Sequence, residues 1–141
     1  AKYGSSTDLQ VIQTIFDKME AAHQKRDPTD EARLDADFHL SIIETSHNVI
    51  MLHMMRSMYE LLRNGVFYNR QKMFQQRTTR FELLTQHETI NLAIQKRDPT
   101  AARRAVEAHL DYVARSQKNQ RDSDKNEKIA KQRFEHEKLR R

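Results

Sequence analysis

The sequence predicts an all-α chain, and three observations carry that expectation. Ala and the straight-chain helix formers Glu, Gln, Lys, Arg, Leu and Met dominate the composition. Two Gly and two Pro leave little turn chemistry. Apolar residues recur at intervals of three and four as far as Val113. With 141 residues the chain fits one domain with a sizeable core. The expected organisation is an antiparallel helical bundle over residues 1–117 and a charged, helical tail over 118–141.

Ser5-Ser6-Thr7-Asp8-Leu9-Gln10 reads as the first helix start, with Thr7 as N-cap and Gln10 reaching back three residues later. Leu9, Ile12, Ile15, Phe16 and Met19 then form one apolar stripe to about Ala22. Asp27 and Pro28 close that helix and open a second, whose stripe is Leu34, Phe38, Ser41 and Ile42. Ser46-His47-Asn48 breaks it. A third helix from Val49 to about Phe67 is apolar on more than one side, through Val49, Leu52, Met55, Tyr59 and Leu62 and through Ile50, Met54, Met58 and Leu61. That pattern suits a central helix or a dimer face. Gly65 loosens it, and the pattern assigns nothing to residues 68–79.

From Phe81 the helical period returns through Leu83, Leu84, His87, Ile90 and Ile94. Gln-Lys-Arg-Asp-Pro-Thr then occurs at 95–100 as it did at 24–29, each time launching a helix. The repeat is read as shared cap chemistry. The last helix carries Ala102, Ala105, Val106, His109 and Val113 before its stripe fades after Ser116. Lys118 to Arg141 holds nine Lys and Arg against five Asp and Glu, so +4 of the formal +5 lies in the tail and the body is nearly neutral. The mixed signs favour a solvated or partner-packing helix over a phosphate-binding one.

Cysteine is absent, which excludes disulfides and thiolate metal sites and fits a reducing cytoplasm. No apolar run approaches the roughly eighteen residues that span a bilayer, and no signal region follows Ala1, so a cytoplasmic protein without a membrane partner is expected. The first residue is not Met, and a fragment of a longer chain is expected. No Gly-rich phosphate loop, nucleophile elbow or HExxH run is present. The Met residues between Met51 and Met58 have the spacing of packing residues.

The chemistry-bearing pattern lies in the helix faces. Asp35 and His39 are four residues apart, one above the other on one side of a helix. His87 and His109 sit on the apolar faces of two further helices. Antiparallel helices joined by short turns would let all three faces converge, as in bundle metal sites. Asp35, His39, His87 and His109 would then form a mixed oxygen and nitrogen set for Zn²⁺, Ni²⁺ or Mn²⁺. Such ligands bind deprotonated, so affinity is expected to fall as His protonates below about pH 6.5. Taken singly, each imidazole is better explained as a core or surface residue satisfied by a hydrogen bond, and it is the four together that point to a site. His23 and His136 are read as solvent-facing, His47 as a turn residue and His53 as lying off its helix's main stripe.

The order Asp35-x-x-x-His39, Ser46-His47-Asn48-x-x-Leu52, His87-x-x-Ile90-x-x-Ala93-Ile94 and Ala101-x-x-x-Ala105-x-x-x-His109-Leu110 resembles the effector-binding domain of GntR-family transcription regulators. The similarity is to the FadR C-terminal type, FCD, nearest the lactate- and pyruvate-responsive branch, over about Leu9 to Val113. The resemblance implies a helical bundle in which the four residues ligate a divalent metal, zinc or nickel as a rule, whose open positions take the carboxylate of a small organic acid. It further implies a cytoplasmic, bacterial, homodimeric repressor or activator whose effector alters two winged-helix DNA-binding domains. That domain, and a first effector-domain helix that often supplies an Arg to the ligand, have no counterpart here, so this chain is not expected to bind operator DNA alone. Asn48, Arg56 and Arg80 are candidate effector contacts, each also explicable as an N-cap or surface charge. The alternative is a helical metal-dependent hydrolase with Asp37 or Glu88 as general base, but both turn off the metal-facing stripe.

Overall fold

In a computed structural model, the backbone is described from Ala1 to Leu139 and the side chains for residues 1–58 and 72–138. Among the described residues five α-helices follow one another: α1 Ser6–Lys25, α2 Pro28–Thr45, α3 Val49–Gln75, α4 Arg77–Gln95 and α5 Pro99–Leu139. No strand occurs among the described residues, so the chain is all-α as its composition predicts.

The first cap lies two residues earlier than expected. Ser5, not Thr7, is the N-cap: its hydroxyl accepts from the Asp8 amide at 3.1 Å, and the Asp8 carboxylate accepts from the Ser5 amide at 2.7 Å. Asp8 at the third helical position makes the same reciprocal pair that Gln10 would have made, with a negative charge added where the helix dipole favours it. Hydrogen bonds from the Ser5 hydroxyl and amide, then from the His47 imidazole, hold the Asp8 carboxyl below the usual carboxylate range.

Both copies of the repeated hexapeptide act as stop-and-start signals. Arg26 and Arg97 take left-handed φ values of 57° and 55°, which close the preceding helix. The amides of Asp27 and Asp98 then reach back to the carbonyls of Ala22 and Ala93 at 3.3 and 3.0 Å. The Asp27 carboxylate caps α2 through the amides of Thr29 and Asp30, and that of Asp98 caps α5 through Ala101.

Residues 68–79, to which the pattern assigns nothing, continue α3 to Gln75 and start α4 at Arg77, four residues before Phe81. Gln76 alone is extended, at φ −88° and ψ 120°, which suffices to end one helix and begin the next without Gly or Pro. On α3, Leu52 is half-buried, whereas Val49, Ile50, Met51, Met54, Met55 and Met58 are exposed. The expected positions Tyr59, Leu61, Leu62 and Gly65 lie outside the described side chains.

Contact density divides the chain into two units, Ala1–His109 and Leu110–Arg141. In the first, α1 packs on α2 and α4, and α3 packs on α2 and α4. The core joins Leu9, Ile12, Phe16, Met19 and Ala22 of α1 to Leu34 and Phe38 of α2 and to Ile90, Ala93 and Ile94 of α4. Three polar links set the register of α1 against α4: Asn91 Nδ2 donates to Gln13 Oε1, Gln95 Nε2 to the Leu9 carbonyl, and Arg80 Nη2 to the His23 carbonyl. The two helices therefore run antiparallel. Phe16 meets Phe38, and His23 meets Glu31, so α1 is antiparallel to α2 as well. It follows that α2 and α4 run in the same direction, which brings matching turns of the two side by side. The second unit is the remainder of α5, whose exposed side chains pair along their own helix, as in Glu127 with Lys131 at 2.7 Å. That pairing, a hydrogen bond first, raises the Lys131 pKa. Among the described residues no helix is long and apolar enough to cross a membrane.

Candidate metal centre

Helix α2 places Asp35 and His39 on one face, α4 supplies His87 and the first turns of α5 supply His109. The parallel run of α2 and α4 puts the middle of one against the middle of the other, and there the donor atoms converge. One atom from each of the four residues lies within 4.8 Å of the corresponding atom of every other. Asp35 Oδ1 is 3.0 Å from His87 Nε2 and 3.6 Å from His39 Nε2, and the two Nε2 atoms are 3.2 Å apart. Asp35, His87 and His109 are buried; His39 is partly open, its side chain 23% exposed.

These distances suit a cation. Ligands about 2.1 Å from a zinc ion stand roughly 3.4 Å apart in a tetrahedron and about 3.0 Å apart in an octahedron. The three measured edges fall around that range. Two imidazole lone pairs and a carboxylate cannot be buried this close together without a proton or a metal ion between them. The donor set is oxygen and nitrogen only, with no thiolate, which suits zinc and its borderline neighbours.

The surroundings orient the rings. Phe38 is fully buried and meets the His39 and His87 rings edge-on, at centroid distances of 5.8 and 5.3 Å. His39 and His109 stack at 5.1 Å. His109 Nδ1 is 2.9 Å from Gln86 Oε1. An amide oxygen only accepts, so Nδ1 carries the proton there and Nε2 keeps its lone pair for an ion. Gln86 was not legible in the sequence: it is one polar residue beside His87 on a helix rich in them.

Glu31 is a second residue that the periodicity misses. It lies one turn before Asp35, is 4% exposed, and forms an ion pair with Arg80, whose Nε donates to Glu31 Oε1 at 2.8 Å. Its spacing to Asp35 was the only available signal, and an acidic residue in a helix's first turn is ordinarily dipole chemistry at the surface. Arg80, a candidate effector contact, therefore stands beside the cluster with its guanidinium bound to Glu31. His23 is not solvent-facing as expected; its Nδ1 is 3.3 Å from Glu31 Oε2, because the end of α1 folds over the start of α2. His53 and His136 are exposed, and His47 sits in the α2–α3 turn at φ 55° with Nε2 3.0 Å from Asp8.

Asn48 and Arg56 are used at the α2–α3 corner. Asn48 Oδ1 caps α3 by accepting from the Met51 amide at 3.0 Å, and Arg56 pairs with Glu44 at 2.7 Å. Of the two residues considered as general bases, Asp37 is bound to Arg33 at 3.0 Å and Glu88 is exposed.

Residues 1–112 match the FCD domain family. The putative L-lactate dehydrogenase operon regulatory protein of Escherichia coli K12 is 35% identical over 106 residues, which cover 75% of this chain and 40% of that protein. The Glc operon transcriptional activator of the same strain is 30% identical over 119 residues, 82% of this chain and 47% of that one. The chain thus spans less than half the length of the curated relatives it matches. A match across most of the chain, reaching past His109, together with relatives that are named as regulators, shows that the chain belongs to the FCD-domain family of GntR-type transcription regulators.

Proposed function

We propose that this chain is the sensing domain of a bacterial transcription regulator in which Asp35, His39, His87 and His109 hold one divalent ion and a small organic acid docks against it. The observation that carries the reading is the convergence of four donor atoms, one carboxylate and three imidazoles, from three helices. Zinc is the first choice, with nickel or manganese as alternatives of the same ligand preference. Such an ion supplies fixed positive charge for a carboxylate in a low-dielectric site.

The chain's own residues do the rest. Gln86 fixes the His109 tautomer, Phe38 walls the site and holds two rings at an angle, and His39, the most open ligand, marks the side from which an effector reaches the site. Arg80 borders the cluster, while Asn48 and Arg56 keep the corner contacts described above. Ligands drawn from separate helices let a shift at the ion move one helix against another, the kind of displacement that a regulator can transmit. The name of the lactate-operon relative supports an acid of the lactate type, pyruvate being the other that the family resemblance implies, and both relatives' names support operator DNA reached through a domain outside this sequence. The exposed apolar face at Ile50, Met54 and Met58 supports a homodimer, an assignment that sedimentation as a monomer at all concentrations would remove. No observation favours the hydrolase, since Asp37 is already committed to Arg33.

A thermal-shift series tests the reading. Protein purified without a His tag and stripped by chelator should gain stability with zinc. Two- to four-carbon carboxylates should raise Tm further only when zinc is present. Ligand at a hundred times its Kd adds about 2.7 kcal/mol. A carboxylate shift that is the same without metal would contradict the docking role, and no shift with zinc would contradict the site.

A further inference from the structure

Helix α1 runs antiparallel to both α2 and α4, so the residues that lead into it lie at the end of the bundle where α2 and α4 finish. Gly4 is buried there. Its φ is outside the left-handed region, so what requires glycine is space. A Cβ on Gly4 would lie 2.9 Å from Leu9 Cδ1 and closer still to Thr45 Cγ2 on the last turn of α2. The Leu9 atom is the end of a flexible side chain and can move aside. Thr45 cannot turn freely, because its hydroxyl donates to the Ser41 carbonyl at 2.8 Å and so fixes the rotamer that aims the methyl at Gly4.

From the other side α4 holds the same segment. Arg97, just past the end of α4, sends Nη1 to the Gly4 carbonyl at 2.7 Å, and Gln95 Nε2 donates to the Leu9 carbonyl at 2.8 Å. His47, in the turn after α2, has Nε2 3.0 Å from the carboxylate of Asp8 on the first turn of α1. Thr45 stands six residues beyond His39, and Gln95 eight beyond His87, about 9 and 12 Å along their helices. The two helices that carry three of the four ligands therefore also grip the entry to α1 between them. A slide of α4 along α2 by about 1 Å would either stretch the Arg97 bond out of hydrogen-bond range or pull Gly4 away from its place against Thr45.

We propose that residues 1–5 are the output segment of the metal site, seated only while α2 and α4 hold the relative position that brings the four donor atoms together. Both conditions are met in one arrangement: the donors stand at distances that suit a cation, and Gly4 lies against Thr45 with its carbonyl bound to Arg97. An ion that fixes α2 against α4 fixes the seat, and by linkage a filled seat tightens the hold on the ion by the same factor. Seating and release of this segment are then the change that the sensor passes on. The inference rests on the metal reading above and adds how the ion is reported away from the cluster.

Glycine labelled with nitrogen-15 supplies the probe, since the chain has two glycines and the Gly4 amide signal is the one that Gly4→Ala removes. One equivalent of zinc added to stripped wild type should move that signal. Zinc affinity, measured by competition with a chromophoric chelator, should fall by about 5-fold or more in Gly4→Ala, the low end of couplings between distant sites. Adding Thr45→Ser, which removes the obstructing methyl and keeps the hydroxyl, should restore most of the loss. Arg97→Asn tolerates the left-handed backbone but cannot reach Gly4, so it should weaken zinc in the same way, and it decides the matter if Gly4→Ala does not fold. A Gly4 signal that zinc leaves in place would overturn the proposal, as would a loss of affinity below about 5-fold in the variant that folds. A loss that Thr45→Ser does not relieve would put its cause outside the seat and overturn it too. Wild type that takes no zinc would remove the metal reading and this inference together, whereas zinc bound with an unmoved Gly4 signal removes this inference alone.

Discussion

The His87→Ala, His109→Ala double variant is expected to retain under about one tenth of the wild-type zinc, since a stable zinc site wants at least three protein ligands and two would remain. The two residues come from different helices, so the change removes one donor from α4 and one from α5 and leaves Asp35 and His39 as an isolated i,i+4 pair. Alanine favours helix, so α4 and α5 should persist. Circular dichroism of both proteins, with metal measured per folded chain after gel filtration, separates loss of the site from loss of the fold. Equal metal content in variant and wild type would place the bound ion elsewhere.

Arg80→Ala is expected to destabilise the chain by about 3–5 kcal/mol, more than most single substitutions, because it leaves the Glu31 carboxylate buried with its cation removed. The geometry explains the size. Arg80 joins three helices at one point, through Glu31 on α2 and the His23 carbonyl at the end of α1. Replacing both charges, as in Arg80→Met with Glu31→Leu, should recover most of the loss, since an apolar pair of similar volume carries no desolvation debt. Urea unfolding of wild type and the two variants measures this. A single-variant loss below about 1 kcal/mol would show that the pair is solvated like a surface salt bridge.

Much of the candidate site was legible in the sequence because helical spacing is a local property. Asp35 and His39 four apart, and His87 and His109 each on an apolar stripe, required no knowledge of which helices touch. Asp27, Pro28 and their repeat at 98 and 99 likewise mark helix starts by chemistry confined to a few residues. What stayed hidden depends on contacts between distant positions. Glu31 reads as a first-turn acid until α4 delivers Arg80, 49 residues later. Gln86 becomes a partner of His109 only when the first turns of α5 bring that residue beside α4. The α3–α4 junction was invisible for a different reason: one extended residue, Gln76, makes the break, and glutamine carries no turn signal. The cap at Ser5 was missed because Ser5, Ser6 and Thr7 can all accept from a helix N-terminus, and the choice fell to whichever had an acid three residues on.

The shared direction of α2 and α4 has a consequence that no single helix shows. Layers of side chains are matched along the two, Glu31 with Arg80 in one and Asp35 and His39 with His87 in the next. The charge in the lower layer and the donors in the upper one are held by the same two helices, so a displacement of α4 along α2 would disturb both.

X-ray absorption at the zinc edge, on protein loaded with one equivalent of zinc, tests whether Asp35, His39, His87 and His109 hold the ion. The expected spectrum has three imidazole nitrogens and carboxylate oxygen at about 2.0–2.2 Å, with one imidazole lost in His109→Ala. A spectrum with one imidazole or none, or one that His109→Ala leaves unchanged, would show that the ion is held elsewhere and that the four converging residues are not its site.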